Sequence, residues 1–159
     1  EAEEEMKAAV APMQQIRDQL LEDIKRDSES FDQYMQALTL PKETEEEKAA
    51  RTEAMQNGLK AAVAVPLSVA KAACRILPYA EIMVTKGNKT AVTDALVAAM
   101  MARTAVLGAG FNVKINLESI RDPEYVESIG KEVAELEKQA VEMENRILAQ
   151  SQVSRSVAR

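Results

Sequence analysis

Residues 90–117 read TAVTDALVAAMMARTAVLGAGFNVKINL, and this stretch decides the fold. Nine of its positions are Ala or Gly, and its apolar residues continue much further than a strand requires. Small side chains let helix axes come close together. We therefore predict a long helix in the middle of a helical bundle, beginning at about Thr90 and ending between Asn116 and Ile120.

Signals on both sides of this stretch predict its neighbours. Thr44-Glu45-Glu46-Glu47 has the pattern of a capping box with acidic residues in the first turn, so a helix should begin there. Pro66 lies inside that helix and should kink it, and Pro78 should bend or break it. Asp122-Pro123 predicts an N-cap followed by proline at the first position of the last helix.

Apolar periodicity completes the prediction of the fold. In the first segment, apolar residues recur at three- and four-residue steps up to Leu40-Pro41, which predicts a helix that buries this face. The last helix has a heptad-like seam with no obvious partner in the chain, which indicates a homodimer. We predict an all-α antiparallel bundle of four or five long helices over residues 1–150, with a frayed tail at 151–159. The first face comprises Met6, Val10, Met13, Leu20, Ile24, Phe31, Met35 and Leu38, and the seam comprises Val126, Ile129, Val133, Leu136, Ala140 and Ile147.

The composition excludes several classes of site. The 159 residues include no His and one Cys, which rules out His-based catalytic pairs, His-ligated zinc and a disulfide within the chain. The net charge of −6 and the pI of about 4.9 argue against a nucleic-acid partner. No uninterrupted 18-residue apolar run and no signal peptide are visible, so we expect a cytoplasmic protein with no membrane partner.

Asp27 interrupts an apolar helix face. It follows Ile24 by three residues and precedes Phe31 by four, so the periodicity predicts that its carboxylate points toward the core with them. A carboxylate that faces a core is costly unless it is paired. Asp27 is therefore either a structural residue satisfied by a neighbour, or a positioned general base or cation partner.

A basic loop precedes the central helix. In Lys86-Gly87-Asn88-Lys89-Thr90, Gly87 should permit a positive φ, and two ammonium groups stand beside a helix N-terminus. These features make the loop a candidate anion or carboxylate site, although most helix starts of this kind bind only water. In the first helical turn, Asp94 either serves the helix dipole or belongs to a site, and Thr93 either caps the helix or donates to a ligand.

Two asparagines lie near the other end of the central helix. Asn112 and Asn116 are four residues apart and share one helix face. They either cap the helix end or hold a heterocycle with their amide donors and acceptors.

Three separated blocks resemble, in order, the cyclodeaminase family. This family comprises the C-terminal domain of formiminotransferase-cyclodeaminase, its stand-alone bacterial relatives and the similar methenyltetrahydrofolate cyclohydrolases. The resemblance continues through Arg121-Asp122 and covers essentially the whole chain. The blocks are RDSESFDQYMQALTLPKETEEEKAAR (26–51), GLKAAVAVPLSVAKAA (58–73) and GNKTAVTDALVAAMMARTAVLGAGFNVKINL (87–117).

The resemblance implies an all-helical, dimeric folate enzyme that needs no metal and no cofactor. Cyclodeaminase closes 5-formimidoyltetrahydrofolate to 5,10-methenyltetrahydrofolate and releases ammonia, whereas cyclohydrolase opens 5,10-methenyltetrahydrofolate with water to 10-formyltetrahydrofolate. The segments around Val65-Pro66-Leu67 and residues 106–112 look closer to the bifunctional enzyme, which favours cyclodeaminase. Composition and periodicity alone favour a third alternative, a non-catalytic helical oligomerisation module.

The resemblance also implies roles for individual residues. A carboxylate, Asp27 or Asp94, would act as general acid/base and as counter-ion to the amidinium, while Asn side chains would hold the pterin or the formimidoyl group. Lys86 and Lys89 would meet the glutamate tail of a folate that can be polyglutamylated. The implied substrate-binding set is Lys86, Gly87, Asn88, Lys89, Thr93, Asn112 and Asn116, with Thr93 in place of the commoner Ser.

The sequence departs from the family pattern at its front. Family members carry an additional N-terminal helical segment with a Pro-Gly-Gly-Gly turn, and this sequence has none. Glu4-Glu5-Met6 stands where the next helix of the family would begin. The resemblance thus implies a domain that is short of its first helix, and with it part of the site.

Overall fold

The computed structural model describes residues 2–153 and is built from five α-helices. Within this range no strand occurs, so the all-α prediction is confirmed. A single 3-10 turn, Lys89–Ala91, separates the third and fourth helices. The helices are α1 (Ala2–Leu38), α2 (Glu45–Cys74), α3 (Leu77–Lys86), α4 (Val92–Leu117) and α5 (Pro123–Ala149).

Long helices that follow one another in the chain, α1 and α2 as well as α4 and α5, pack as antiparallel pairs. On α1 and α2, Tyr34 lies against Gly58 and Asp23 lies against Ser68, so the two helices run in opposite directions. Ion pairs between Arg103 and Glu144 and between Lys114 and Glu137 give the same relation for α4 and α5. Helix α4 contacts α2, α3 and α5, which confirms its predicted central position.

The predicted helix ends are confirmed by their hydrogen bonds. Thr44 Oγ1 accepts from the Glu47 amide at 3.2 Å, and the Glu47 carboxylate accepts from the Thr44 amide at 3.1 Å. Asp122 accepts from the Tyr125 amide at 3.1 Å, with Pro123 in the first turn of α5. Helix α2 is continuous through Pro66, and the predicted break falls between Cys74 and Leu77, just before Pro78.

The predicted inner face of α1 is wrong. None of its members is fully buried, and four of them are exposed, among them Ile24 at 68% and Phe31 at 60%. The reason is steric, because α1 and α2 approach so closely that a Cβ on Gly58 would lie 2.9 Å from the Tyr34 Cα. The buried residues of α1 are instead spaced by seven and, apart from one isoleucine, are small or polar, namely Ala9, Ile16, Asp23, Ser30 and Ala37.

The seam on α5 packs inside the chain. Val133 is 1% exposed, and Ala140 and Ile147 are fully buried. They belong to the two apolar core clusters that α5 shares with α2 and α4. The seam therefore has a partner in the chain, and its use as the reason for a homodimer is wrong.

Cys74 is a buried core residue, as its Ala-rich surroundings suggest. It is 9% exposed and packs in the cluster of α2, α3, α4 and α5. Burial raises the pKa of its thiol. A raised pKa keeps the sulfur protonated, which disfavours a role as nucleophile or metal ligand.

Two helical segments are long and apolar enough to cross a membrane, residues 45–86 and 89–117. A segment thus meets this criterion without an uninterrupted apolar run, and the core helices of soluble bundles meet it as well. In the segment 89–117 only 39% of the most apolar window is buried. At the C-terminus, Ser151 is buried, whereas residues 154–159 of the predicted tail lie outside the described range.

Candidate functional site

A groove of about 580 Å³ opens between α1 and α4 above α2. This volume lies within the range of small-molecule sites. Its α4 wall consists mostly of small residues, which leave space between α1 and α4. The lining residues are Leu20, Asp23, Ile24, Asp27 and Ser28 of α1, Val65, Pro66 and Val69 of α2, and Ala105, Gly108, Ala109 and Asn112 of α4.

Pro66 in the floor of the groove disturbs the hydrogen bonds of α2. Proline has no amide hydrogen, so the carbonyl of residue i−4, here Ala62, loses its helical partner. Asn116 Nδ2 donates to the Ala62 carbonyl at 3.0 Å. Asn116 thus satisfies an acceptor that Pro66 leaves free, and it ties α4 to α2 next to the groove.

This role predicts a stability effect for Asn116→Ala. The change leaves the Ala62 carbonyl without a donor, so we expect the free energy of unfolding to fall by about 1–3 kcal/mol. Asn112→Ala is the matched control, because the exposed Asn112 amide makes only a 3.3 Å bond to the Gly108 carbonyl of its own helix. Urea unfolding of both variants measures the difference, and equal stabilities would contradict the assignment.

Two carboxylates, Asp23 and Asp27, line the groove, and the other lining residues carry no ionisable side chain. Asp23 is 1% exposed and has partners for both oxygens. Arg26 Nη1 donates to Oδ1 at 2.5 Å, and Ser68 Oγ donates to Oδ2 at 3.1 Å. A buried carboxylate held in this way is a fixed part of the groove wall.

Asp27 lies one helical turn further along α1 and has a different environment. Its predicted orientation toward the core is wrong, because the face it shares with Ile24 and Phe31 is exposed. It nevertheless lines the groove. Among residues 2–153, its carboxylate has no hydrogen-bond or ion-pair partner. Asp27 is therefore free to exchange a proton or to meet a cation, with Asn112 on the opposite wall.

The remaining predicted site residues lie around the start of α4, away from the groove. Asp94 and Asn112 are 18 positions apart, which corresponds to about 27 Å along a helix. Within a single chain, Asp27 and Asn112 therefore line the same groove, and Asp94 lies away from it. The residues of this second group are Lys86, Gly87, Asn88, Lys89, Thr93 and Asp94.

The loop before α4 has local structural roles. Lys86 Nζ donates to Glu5 of α1 at 2.6 Å, and Asn88 Oδ1 accepts from the Thr90 amide at 3.0 Å. Gly87 has φ −76°, so the expectation of a positive φ is wrong. Glycine is needed there for another reason, since a Cβ would lie 2.3 Å from the Met83 carbonyl oxygen. Thr93 and Asp94 are exposed.

Comparison with known proteins identifies the family. Residues 1–135 match the family described as Formiminotransferase-cyclodeaminase. The chain belongs to this family. A methenyltetrahydrofolate cyclohydrolase from Methylorubrum extorquens is 35% identical over 147 residues, and a formimidoyltransferase-cyclodeaminase from Gallus gallus is 36% identical over 144 residues.

A solved structure of the formiminotransferase-cyclodeaminase family has the same fold. The crystal structure of formiminotetrahydrofolate cyclodeaminase from Thermotoga maritima aligns with a TM-score of 0.82 at 28% identity, covering 93% of this chain and 70% of that one. The chain spans 27% of the length of the Gallus gallus relative and 71% of the Methylorubrum extorquens relative. The likeness thus covers a part of each relative.

Sequence reasoning missed the polar cluster around the buried Asp23, next to Asp27. This cluster joins Gln19, Asp23 and Arg26 of α1 to Ser68 of α2. The available signal was the seven-residue spacing of Ala9, Ile16 and Ala37, which places Asp23 on the packed face. Bulky residues on the neighbouring face concealed that signal.

Proposed function

We propose that this chain is a folate-interconverting enzyme that converts 5-formimidoyltetrahydrofolate to 5,10-methenyltetrahydrofolate and ammonia. The observation that carries the proposal is the groove, in which the Asp27 carboxylate, without a partner among residues 2–153, lies on the wall opposite the Asn112 amide. Family membership supports the reaction class, because relatives are named for cyclodeaminase and cyclohydrolase activities. The cytoplasmic location stays a prediction from the sequence.

The reaction requires the site to move one proton from N10 of the folate to the leaving amino group. N10 of the folate attacks the formimidoyl carbon of the amidinium, which gives a tetrahedral carbon bonded to N5, N10 and an amino group. One proton then moves from N10 to the amino group, the carbon–nitrogen bond to that group breaks, and ammonia leaves the methenyl cation. Because no electrons are transferred to or from the folate, we propose that no resident cofactor takes part.

Asp27 suits the proton transfer and the positive charge. A free carboxylate can take the N10 proton and return it to the leaving nitrogen, and its charge favours a cationic transition state. Asn112 can donate and accept hydrogen bonds to the pterin or the formimidoyl group. We keep Asp94, Thr93 and the loop residues Lys86 to Lys89 as candidates for the second carboxylate and the contacts with a glutamate tail.

We propose that the active form is a homodimer that packs through two outer seams. An apolar helix face normally packs against a partner, yet α1 and α4 each expose an apolar face beside the groove. Positions on both faces recur at three- and four-residue steps or their sums, the spacing of helix-packing seams. The α1 seam is Val10, Leu21, Ile24, Phe31 and Met35, and the α4 seam is Val97, Met101, Thr104, Gly108, Phe111 and Ile115; Ile24 and Gly108 also form the rims of the groove.

The second candidate activity is methenyltetrahydrofolate cyclohydrolase. It is favoured by the cyclohydrolase relative, whose length this chain covers to 71%. In that reaction water takes the place of the amine at the same carbon, so the same carboxylate and amide would serve. A non-catalytic module is the alternative to both enzymes.

Two assays separate these functions. With 5-formimidoyltetrahydrofolate we expect ammonia release together with the rise of methenyltetrahydrofolate absorbance, and with 5,10-methenyltetrahydrofolate little loss of that absorbance. The reverse result would identify a cyclohydrolase. A thermal-shift series with reduced folates provides the control for binding, since a ligand of the native state raises the melting temperature. If neither folate is turned over and no reduced folate raises the melting temperature, the result favours the non-catalytic module.

A further inference from the structure

Four polar side chains form a continuous hydrogen-bonded cluster between α1 and α2. Gln19 Nε2 donates to Ser68 Oγ at 2.9 Å, Ser68 Oγ donates to Asp23 at 3.1 Å, and Arg26 donates to the other oxygen of Asp23. Such a network is costly unless its buried members are satisfied. Here Asp23, its buried centre, has partners at both oxygens.

The cluster lies directly behind the candidate proton-transfer group. Asp23 and Asp27 are four residues apart on α1, so one turn of helix, about 6 Å, separates them. Both line the groove. The first carboxylate is engaged at both oxygens and fixed across the helix pair, while the second is exposed and unpartnered. Asp23 therefore fixes the wall of the groove, whereas Asp27 is available to react.

We propose that Asp23 is a positioning residue of the groove, which acts through Ser68 and Arg26. Its bond to Ser68 fixes the α1 turn against α2, and that turn sets where the Asp27 carboxylate lies relative to Asn112 across the groove. A misplacement of about 1 Å can cost about 10²-fold in rate. The inference rests on the proposed folate activity, and it adds residues for which the resemblance implies no role.

The test uses two positions of the cluster, with kcat and KM measured separately. Asp23→Asn keeps the shape of the side chain but loses the ion pair, and we expect kcat to fall about 10²-fold with less than about a threefold change in KM. Ser68→Ala should lower kcat about fivefold, and Ser68→Thr, which keeps the hydroxyl, should restore most of it. If Asp23→Asn does not fold, the comparison of Ser68→Ala with Ser68→Thr tests the positioning role.

Glu144→Gln is the matched control. Glu144 is also a buried carboxylate that is paired with an arginine and joins two helices, here through Arg103 of α4, but it does not line the groove. We expect Glu144→Gln to lower the melting temperature and to leave kcat within about twofold. An equal loss of kcat in both carboxamide variants would overturn the positioning role, and so would unchanged kcat in Asp23→Asn and Ser68→Ala.

The outcomes also separate this inference from the proposed function. If the wild-type chain turns over neither folate and shows no thermal shift with either, the proposed function fails, and the positioning role fails with it. If the wild-type chain is active and the cluster variants behave as the Glu144 control does, only the positioning role fails.

Discussion

Asp27→Asn should lower kcat about 10³-fold, the largest catalytic loss expected from a single change in this chain. The amide cannot take the N10 proton or return it to the leaving amine, and it removes the negative charge next to the amidinium. The change should leave folding intact, because Asp27 is exposed and its carboxylate has no partner within residues 2–153. Single-turnover kinetics combined with circular dichroism measure the two effects.

Two controls define the meaning of that result. Asp32→Asn changes an exposed aspartate on the same helix that does not line the groove, and its kcat should match wild type. Asp94→Asn tests the second candidate carboxylate, about 27 Å away along α4 from the Asn112 position. Full turnover in both the Asp27 and the Asp94 variants, with the fold intact, would rule out carboxylate catalysis at either position.

Local rules predicted the ends of the helices well. The capping box at Thr44 and the Asp122-Pro123 start of α5 have the expected hydrogen bonds. These signals are contained in a few adjacent residues, so the rest of the fold does not alter them. The central position of α4 was also predicted, since its small residues permit close packing on several sides.

The burial of α1 could not be predicted from hydrophobic periodicity. The helix has two faces with seven-residue repeats, and the more apolar one is exposed in the monomer. Which face meets α2 depends on the space left beside Gly58, a property of the helix pair. The same error placed Asp27 toward the core and left Asp23 unnoticed.

Part of the candidate groove was singled out from the sequence. The helix patterns drew attention to Asp27 and Asn112, the resemblance implied roles for them, and both line the groove. The resemblance also included Asn116, whose hydrogen bond to Ala62 depends on Pro66, 50 positions away in the sequence. A hydrogen bond between helices of this kind has no local signature, so spacing alone could not separate Asn112 from Asn116.

The proposed homodimer rests on the outer seams. Val97, Met101 and Phe111 on α4 are between 56% and 67% exposed, and large exposed apolar patches mark interaction sites. Identical copies can pair these seams by a two-fold axis, because each copy carries the same patch. The heptad spacing suits a helical partner better than a flat bilayer surface, and the net charge of −6 disfavours an anionic membrane.

Phe31→Glu combined with Met101→Glu should convert the dimer to a monomer. Each change puts a carboxylate into a dry contact, and together they should raise the dissociation constant at least about 10³-fold. Both side chains are at least 60% exposed in the single chain, so the monomer should keep its helices, and neither residue lines the groove. Sedimentation should give a mass near 17.4 kDa for the variant and twice that for the wild type.

Leu40→Glu changes an exposed residue outside both seams, so it should leave the dimer intact. A monomeric wild-type chain or a dimeric double variant would refute this interface.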